Sequence, residues 1–465
     1  MKKYKKNINE ELGHTKIGPL ILKLAVPSTI AQIINALYSM VDRMFIGHIV
    51  GEGDAALAGL GITLPIILII TAFSYLIGRG GAPLVSIQMG GNKIQDAEKI
   101  QTMSFSLLIL LGVIITIIAT IFCDPILKIF GATDFSLPYA SAYMKIYVLG
   151  TVAVMVSIGM TTFLNAQGHV ILGTVTIAIG AIINLILDPI FIYYFDMGIA
   201  GAAIATVISQ SISALWVLGI LLFYKRLVVK IRWKFMKIKW DVSKKIIELG
   251  VSSFVFLAND SIVQILINWL LLWWSEDLKT GNLYIGCMTI VYSMYQIFFM
   301  PLTGIAQGLQ PIVGFCYGEK NYKRVKKTIF YGRVYSLVCA TTMWIAFMLF
   351  PRQIAGIFTS NQELLIQSSK FIRIAFCLNF VLGMQMINQN MFIAMGNAKY
   401  ALLFGLMRKI FVLIPLLFLI PPVFGVIGVF VAEPISNVIT VIVTYIFFER
   451  YTQNTLSDNQ NDVRI

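Results

Sequence analysis

Apolar stretches long enough to cross a bilayer recur along almost the whole chain, and they constrain its fold more than any motif does. A spanning helix needs roughly 20 mainly apolar residues. The 465 residues offer twelve such runs, at 19-48, 57-88, 97-123, 138-165, 170-195, 198-224, 245-274, 282-317, 323-350, 364-395, 398-422 and 425-450. Short polar or glycine-rich breaks separate them. With 58% of residues apolar, 12% charged and a mean hydropathy of +0.82, the composition is that of no soluble domain. The first run follows Lys2, Lys3, Lys5 and Lys6. It is too long for a signal peptide and lacks a small-residue cleavage site, so it is read as the first helix. The predicted fold is an all-α polytopic membrane protein.

Lys and Arg near helix ends stay on the cytoplasmic side. Twelve helices with an inside amino terminus place 28 of the 36 Lys and Arg inside, 6 outside, and Arg43 and Arg79 within helices. One helix more or fewer would put the basic runs 225-245 and 320-333 on opposite faces. The net charge of +14 therefore reflects topology rather than nucleic-acid binding. Both termini are predicted to be cytoplasmic, with the lipid bilayer as the surrounding partner and a monomer as the assembly.

The five cysteines, Cys123, Cys287, Cys316, Cys339 and Cys377, are odd in number and lie in or beside apolar runs, so free thiols are expected. His14, His48 and His169 are too scattered for a metal site or a catalytic dyad, and no phosphate loop occurs. Uphill transport would then draw on an ion gradient rather than on ATP. No loop outside the apolar runs is long enough to house a catalytic cluster, so no enzyme is expected.

The chain repeats itself. A shift of 228 positions lays Pro83, Val85 and Gly90 on Pro311, Val313 and Gly318, then Ile129 and Phe130 on Ile357 and Phe358, and Ala166 and Gly168 on Ala394 and Gly396. Further on the offset becomes 227, pairing Gly198 and Gly201 with Gly425 and Gly428, and Thr206, Gln210 and Ser213 with Glu433, Asn437 and Thr440. Six helices per half is an even number, so the halves share one orientation and are related by an axis along the membrane normal. The predicted division is an amino-terminal lobe at 1-224, a basic connector at 225-245, a carboxy-terminal lobe at 246-450 and a tail at 451-465: two pseudo-symmetric six-helix bundles.

An ionisable group near the bilayer centre costs about 2.5–3.5 kcal/mol on insertion scales, so it tends to mark a pathway or a buried pair. Four acids fall in the runs: Asp42, Asp188, Asp260 and Glu433. In the first helix Gln32, Asn35, Ser39 and Asp42 recur at spacings of three and four, which stacks them on one face. In the fifth, Asn184 and Asp188 share a face, and Pro189 frees a nearby carbonyl. Two carboxylates, an amide and a carbonyl suit sodium, and a shared proton fits equally. Thr206, on a face with Gln210 and Ser213, can add a hydroxyl. A plainer reading has Arg43 or Arg79 balancing Asp42, with Asp188 capping the proline kink; adjacent residues point about 100° apart, which disfavours Arg43. In the second half Asp260, Gln264 and Asn268 share a face, as do Glu433, Asn437 and Thr440. Four acids against two bases favour cationic cargo. Asp260 and Glu433 are expected to attract it, Asn35 and Gln264 to line its path, and Tyr292 with Gln296, one turn apart, to belong to an aromatic wall. A lipid-linked oligosaccharide flippase of related architecture would instead need a basic cavity, and a channel fits a duplicated chain with broken acidic helices less well than alternating access does.

The segments Val41-Asp42-Arg43-Met44-Phe45-Ile46-Gly47, Gly78 to Asn92, Asn165-Ala166-Gln167-Gly168 and Asn184 to Pro189 together resemble the multidrug and toxic compound extrusion (MATE) transporters, in particular their bacterial MepA-like branch. The resemblance spans nearly the whole chain. It implies export of cationic or amphipathic small molecules across a bacterial inner membrane against protons or sodium, with an ion site at Asp42, Asn184, Asp188 and Thr206. Another branch pairs a carboxylate in the seventh helix with one in the tenth. Here the tenth carries only Asn379, Gln385, Asn388 and Gln389, so a full second ion site is not implied.

Overall fold

A computed structural model describes residues 11–47, 49, 53–130, 132, 136–358 and 362–456. Among these the chain is helical, with no strands. Twelve units run in order: α1 (Ile17–Gly47), α2 (Gly53–Gly90), α3 (Ile94–Ile121), α4 (Leu137–Leu149 and Thr151–Ala166), α5 (Val170–Pro189, continued by Ile190–Tyr194), α6 (Gly198–Phe223), α7 (Trp240–Trp273), α8 (Leu278–Gly318), α9 (Tyr322–Leu349), α10 (Gln362–Phe376 and Leu382–Ala394), α11 (Ala398–Leu406 through Pro421–Phe424) and α12 (Val426–Thr455). Among the described residues 9 helices are long and apolar enough to cross a membrane, and the bent pairs of α4 and α10 make 11. The 34-residue α7 completes the set, its end Val263–Trp273 being apolar.

Three departures from a straight helix have a cause in the residues at the break. α4 bends by 60° at Gly150, where a Cβ would stand 2.7 Å from Val207 of α6. Only glycine lets the two helices approach so closely. After Pro189, which has no N–H to give, α5 opens into a wide turn over Ile190–Tyr194. α11 opens likewise over Met407–Leu413, just before Pro415.

The lobes meet along α1 against α8 and α2 against α7. These are one contact seen twice, because the repeat pairs α1 with α7 and α2 with α8. Glycines bring the backbones together. A Cβ on Gly90 would lie 1.9 Å from the Phe315 carbonyl oxygen, and one on Gly318 would lie 1.9 Å from that of Ile87. Gly80 and Gly308, another pair 228 apart, abut Ile246 and Ala25 in the same way. All four sit toward the end of the bundle that carries the basic runs. There the connector is pinned to the first lobe. The Val229 N–H donates to Gln167 Oε1 at 3.0 Å, and Arg232 Nε donates to Glu98 Oε1 at 3.0 Å.

One count from the sequence needs correcting. Arg408 and Lys409, assigned above to the inner face, lie within α11 and are each only 5% exposed. The membrane bases therefore equal the membrane acids, Arg43, Arg79, Arg408 and Lys409 against Asp42, Asp188, Asp260 and Glu433. The bare four-to-two excess does not stand.

Candidate functional site

The four-residue spacing of Asn184 and Asp188 turns both toward α1 and α6. Asn184 Nδ2 donates to Asp188 Oδ1 at 3.0 Å and to Thr206 Oγ1 at 3.4 Å. From α1, the Asp42 carboxyl comes within hydrogen-bonding range of Asp188. Asp188, Asn184, Thr206 and Asp42 are 0%, 1%, 4% and 8% exposed. The four residues expected to form an ion site are thus together, from three helices.

This cluster is under-supplied with donors. Asn184 Oδ1 and Asp188 Oδ2 are buried and accept no hydrogen bond from any described residue. Buried acceptors rarely remain so. Two charged carboxylates at this range also repel strongly in a weakly polarisable interior. One positive charge between them relieves the repulsion. A proton shared by the acids does so, as does a hard cation taking oxygen ligands from the acids, the amide and the hydroxyl.

A cavity of about 490 Å³ adjoins the cluster, lined among others by Gln32, Asn35, Asp42, Thr206, Gln210 and Gln296. Gln32, Asn35 and Asp42 of the α1 stripe therefore face this space, while the Ser39 side chain lies outside the described residues. Asn184 and Asp188 sit behind the lining. Arg79 also faces the cavity, but its guanidinium lies 4.0 Å from the Tyr75 ring centroid and makes no ion pair among the described residues. The Arg43 side chain lies outside the described residues.

The carboxy-terminal candidates separate. Glu433 Oε1 accepts from Lys409 Nζ at 2.9 Å, both residues being buried, so this carboxylate already holds an ammonium. Gln264 is exposed and, like Tyr292, is not part of the cavity wall; Tyr292 packs against the carboxy-terminal core, while Gln296 reaches the cavity. The side chain of Asp260 lies outside the described residues.

Three residues not singled out from the sequence join the site. Tyr38 and Tyr143 come within hydrogen-bonding range of Thr206, and Tyr147 stacks on Tyr143 with ring centroids 5.9 Å apart. All three line the cavity. Their signal was present: Tyr38 continues the Asn35–Asp42 stripe, and Tyr143 and Tyr147 are one turn apart. The five cysteines are free thiols, as expected.

Comparisons with known proteins fall on this architecture. The family model described as MatE matches twice, at residues 27–190 and 257–419. "Multidrug export protein MepA" of Staphylococcus aureus (strain MRSA252) is 24% identical over 458 residues, covering 96% of this chain and 98% of that protein. A solved outward-facing multidrug resistance MATE family transporter of the MOP superfamily superposes with TM-score 0.89 at 21% identity, covering 97% of this chain and 99% of the other. A Pyrococcus furiosus MOP superfamily transporter, described as having a binding pocket of reversed polarity that suggests a different function, superposes with TM-score 0.88 at 22% identity over 96% of this chain and 98% of that one.

Proposed function

The chain belongs to the MatE family, and on that premise we propose that it exports cationic or amphipathic small molecules by antiport against protons or sodium. The observation that carries this reading is the Asp42–Asn184–Asp188–Thr206 cluster, in which Asn184 and Asp188 each keep a buried acceptor without a described donor, placed against a cavity wide enough for a drug-sized molecule. Its relatives' names supply the multidrug part, since MepA is described as a multidrug export protein.

The local charge supports a cationic cargo even though the whole-membrane count is level. Asp42 faces the cavity with Asp188 directly behind it, against a single base, Arg79. Tyr38, Tyr143 and Tyr147 supply aromatic faces that attract flat cations. An anionic lipid-linked cargo would meet the wrong sign of charge at this wall.

The basic end of the bundle belongs to the cytoplasm by the bias of Lys and Arg, which puts both termini inside. The glycine seam then closes the cytoplasmic side, and alternating access is a rocking of the lobes about it. The transporter works as a monomer, because one chain holds both lobes and the whole cavity.

The test is ethidium efflux from vesicles containing the full-length protein, under sodium and proton gradients imposed separately. One gradient should drive efflux. Asp188→Asn and Asp42→Asn should each lower gradient-driven efflux at least tenfold with the protein still inserted, because an amide keeps the shape but neither titrates nor carries charge. Unchanged efflux by Asp188→Asn would remove this cluster from coupling.

A further inference from the structure

Ion exchange need not occur twice in a duplicated transporter, and the carboxy-terminal lobe shows how it could be confined to one half. Carrying the repeat through the site puts Leu270, Leu271 and Leu272 in the stretch that matches Asp42, and Pro415, Leu416 and Leu417 in the stretch that matches Asp188. Neither acid has a counterpart. Thr206 has one in Glu433, so on α12 a carboxylate stands where the first lobe has a hydroxyl.

The stretch matching Gly180 to Ile182 contains Arg408 and Lys409. In the first lobe none of these positions is charged: a Cβ on Gly180 would stand 2.5 Å from Ser213 Oγ, Ala181 lines the cavity, and Ile182 is exposed. In the second lobe the Ser436 hydroxyl donates to the Arg408 carbonyl at 2.8 Å. From the next residue, Lys409 Nζ reaches Glu433 Oε1 at 2.9 Å, where Glu433 is 6% exposed. A long charged side chain thus stands in a stretch where the first lobe carries none, and it brings a positive charge to the Glu433 carboxylate.

We propose that Lys409 is a tethered counter-ion occupying, in the carboxy-terminal lobe, the place the coupling cation takes in the amino-terminal lobe, so that only one lobe exchanges an ion with solution. This rests on the coupling role proposed above for Asp188. The ammonium carries the same single charge as sodium or a proton, but its covalent stem prevents release. Arg408 reinforces it. Its guanidinium lies 5.8 and 5.5 Å from the ring centroids of Phe256 and Phe299, adding a second positive charge that opposes entry of a free cation. Among the described side chains, Tyr295 of α8 is a further titratable group by the pair, joined to Asn437 of α12 through Asn379.

The experiment uses full-length protein carrying Asp188→Asn, which silences the first site, and reads the thermal midpoint as sodium replaces choline at fixed ionic strength and, separately, as the pH is lowered. With Lys409 intact the midpoint should not respond through Glu433. Adding Lys409→Met bares Glu433, so the midpoint should rise with sodium or with protons, and a third change, Glu433→Gln, should cancel the rise. Lys409→Arg, which keeps the charge, should show no response. No response in Asp188→Asn/Lys409→Met overturns the proposal. So does a response in Asp188→Asn alone that Glu433→Gln removes, since the pair would then bind an ion with Lys409 in place. If Lys409→Met does not fold, the variant lacking both charges, Lys409→Met/Glu433→Gln, decides on an otherwise native chain. The ion dependence of its ethidium efflux should match the unmodified protein, and a loss of that dependence overturns the proposal. The coupling reading fails separately, if Asp188→Asn on its own leaves gradient-driven efflux unchanged.

Discussion

His169, at the turn between α4 and α5, shows what burial does to a titratable residue at the basic face. Its ring meets Tyr224 edge-on at 5.9 Å, and its Nε2 is buried with no hydrogen-bond partner among the described residues. Burial pushes the imidazole down to about 4 from its ordinary 6.5, with Glu11 opposing and Arg226 adding to the shift. Below pH 6.5 the unfolded chain gains a proton that the folded one refuses, so the stability this neutral ring confers is whole above 6.5 and is lost as the pH falls toward 4. Acidification from pH 7 to about 4.5 should therefore lower the thermal midpoint more in the unmodified protein than in His169→Asn. Equal slopes would show that the imidazole titrates in the fold as it does in the unfolded chain. Carboxylates titrate in the same range, which is why the difference between the two proteins is the readout.

At the scale of helices, the glycine crossings decide how the lobes can meet. Gly90 and Gly318 each face a partner carbonyl at a range where no Cβ fits. Gly90→Val or Gly318→Val should separate α2 from α8, cost about 1–3 kcal/mol by overpacking, and expose the cytoplasmic seam. A cysteine placed at Gly91, beside that seam and facing the Gly318 carbonyl at 3.5 Å, should then react faster with a membrane-impermeant maleimide in inside-out vesicles than it does without the valine. These crossings also show how far the sequence could be read. The helices themselves were legible because a bilayer imposes one length and one composition, and the repeat was legible because Pro83 and Pro311, or Gly90 and Gly318, keep their spacing. The polar stripe of α1 followed from a period of 3.6. What periodicity cannot carry is contact between helices. Lys409 reaches Glu433 across 24 positions of sequence, and nothing in α11 alone distinguishes a buried lysine from one near the membrane surface. The bend at Gly150 is hidden for the same reason, since its cause is Val207 in another helix.

The molecule as a whole must convert one lobe's ion site into movement of both lobes, and linkage sets what that requires. If the ion and the drug favour opposite-facing arrangements, each weakens the other's binding by the same factor. Asp42 is where the two meet, because it touches Asp188 on one side and the drug-sized cavity on the other. A membrane potential of 100 mV contributes about 2.3 kcal/mol per charge moved, roughly a fifty-fold gradient if one net charge enters per cycle. Coupling of that size implies an antagonism measurable at equilibrium. Ethidium titrated into the detergent-solubilised protein should bind more weakly as sodium is raised, or as the pH is lowered, whichever ion drives efflux. Asp188→Asn should flatten that dependence, and Lys409→Arg should leave it intact, because the second lobe's charge is fixed in either case. Affinity that stays level across both titrations in the unmodified protein would mean that the drug does not sense the carboxylates. The cluster of Asp42 and Asp188 would then be a packing device for α1 and α5, and the driving ion would have to act elsewhere on the rocking lobes.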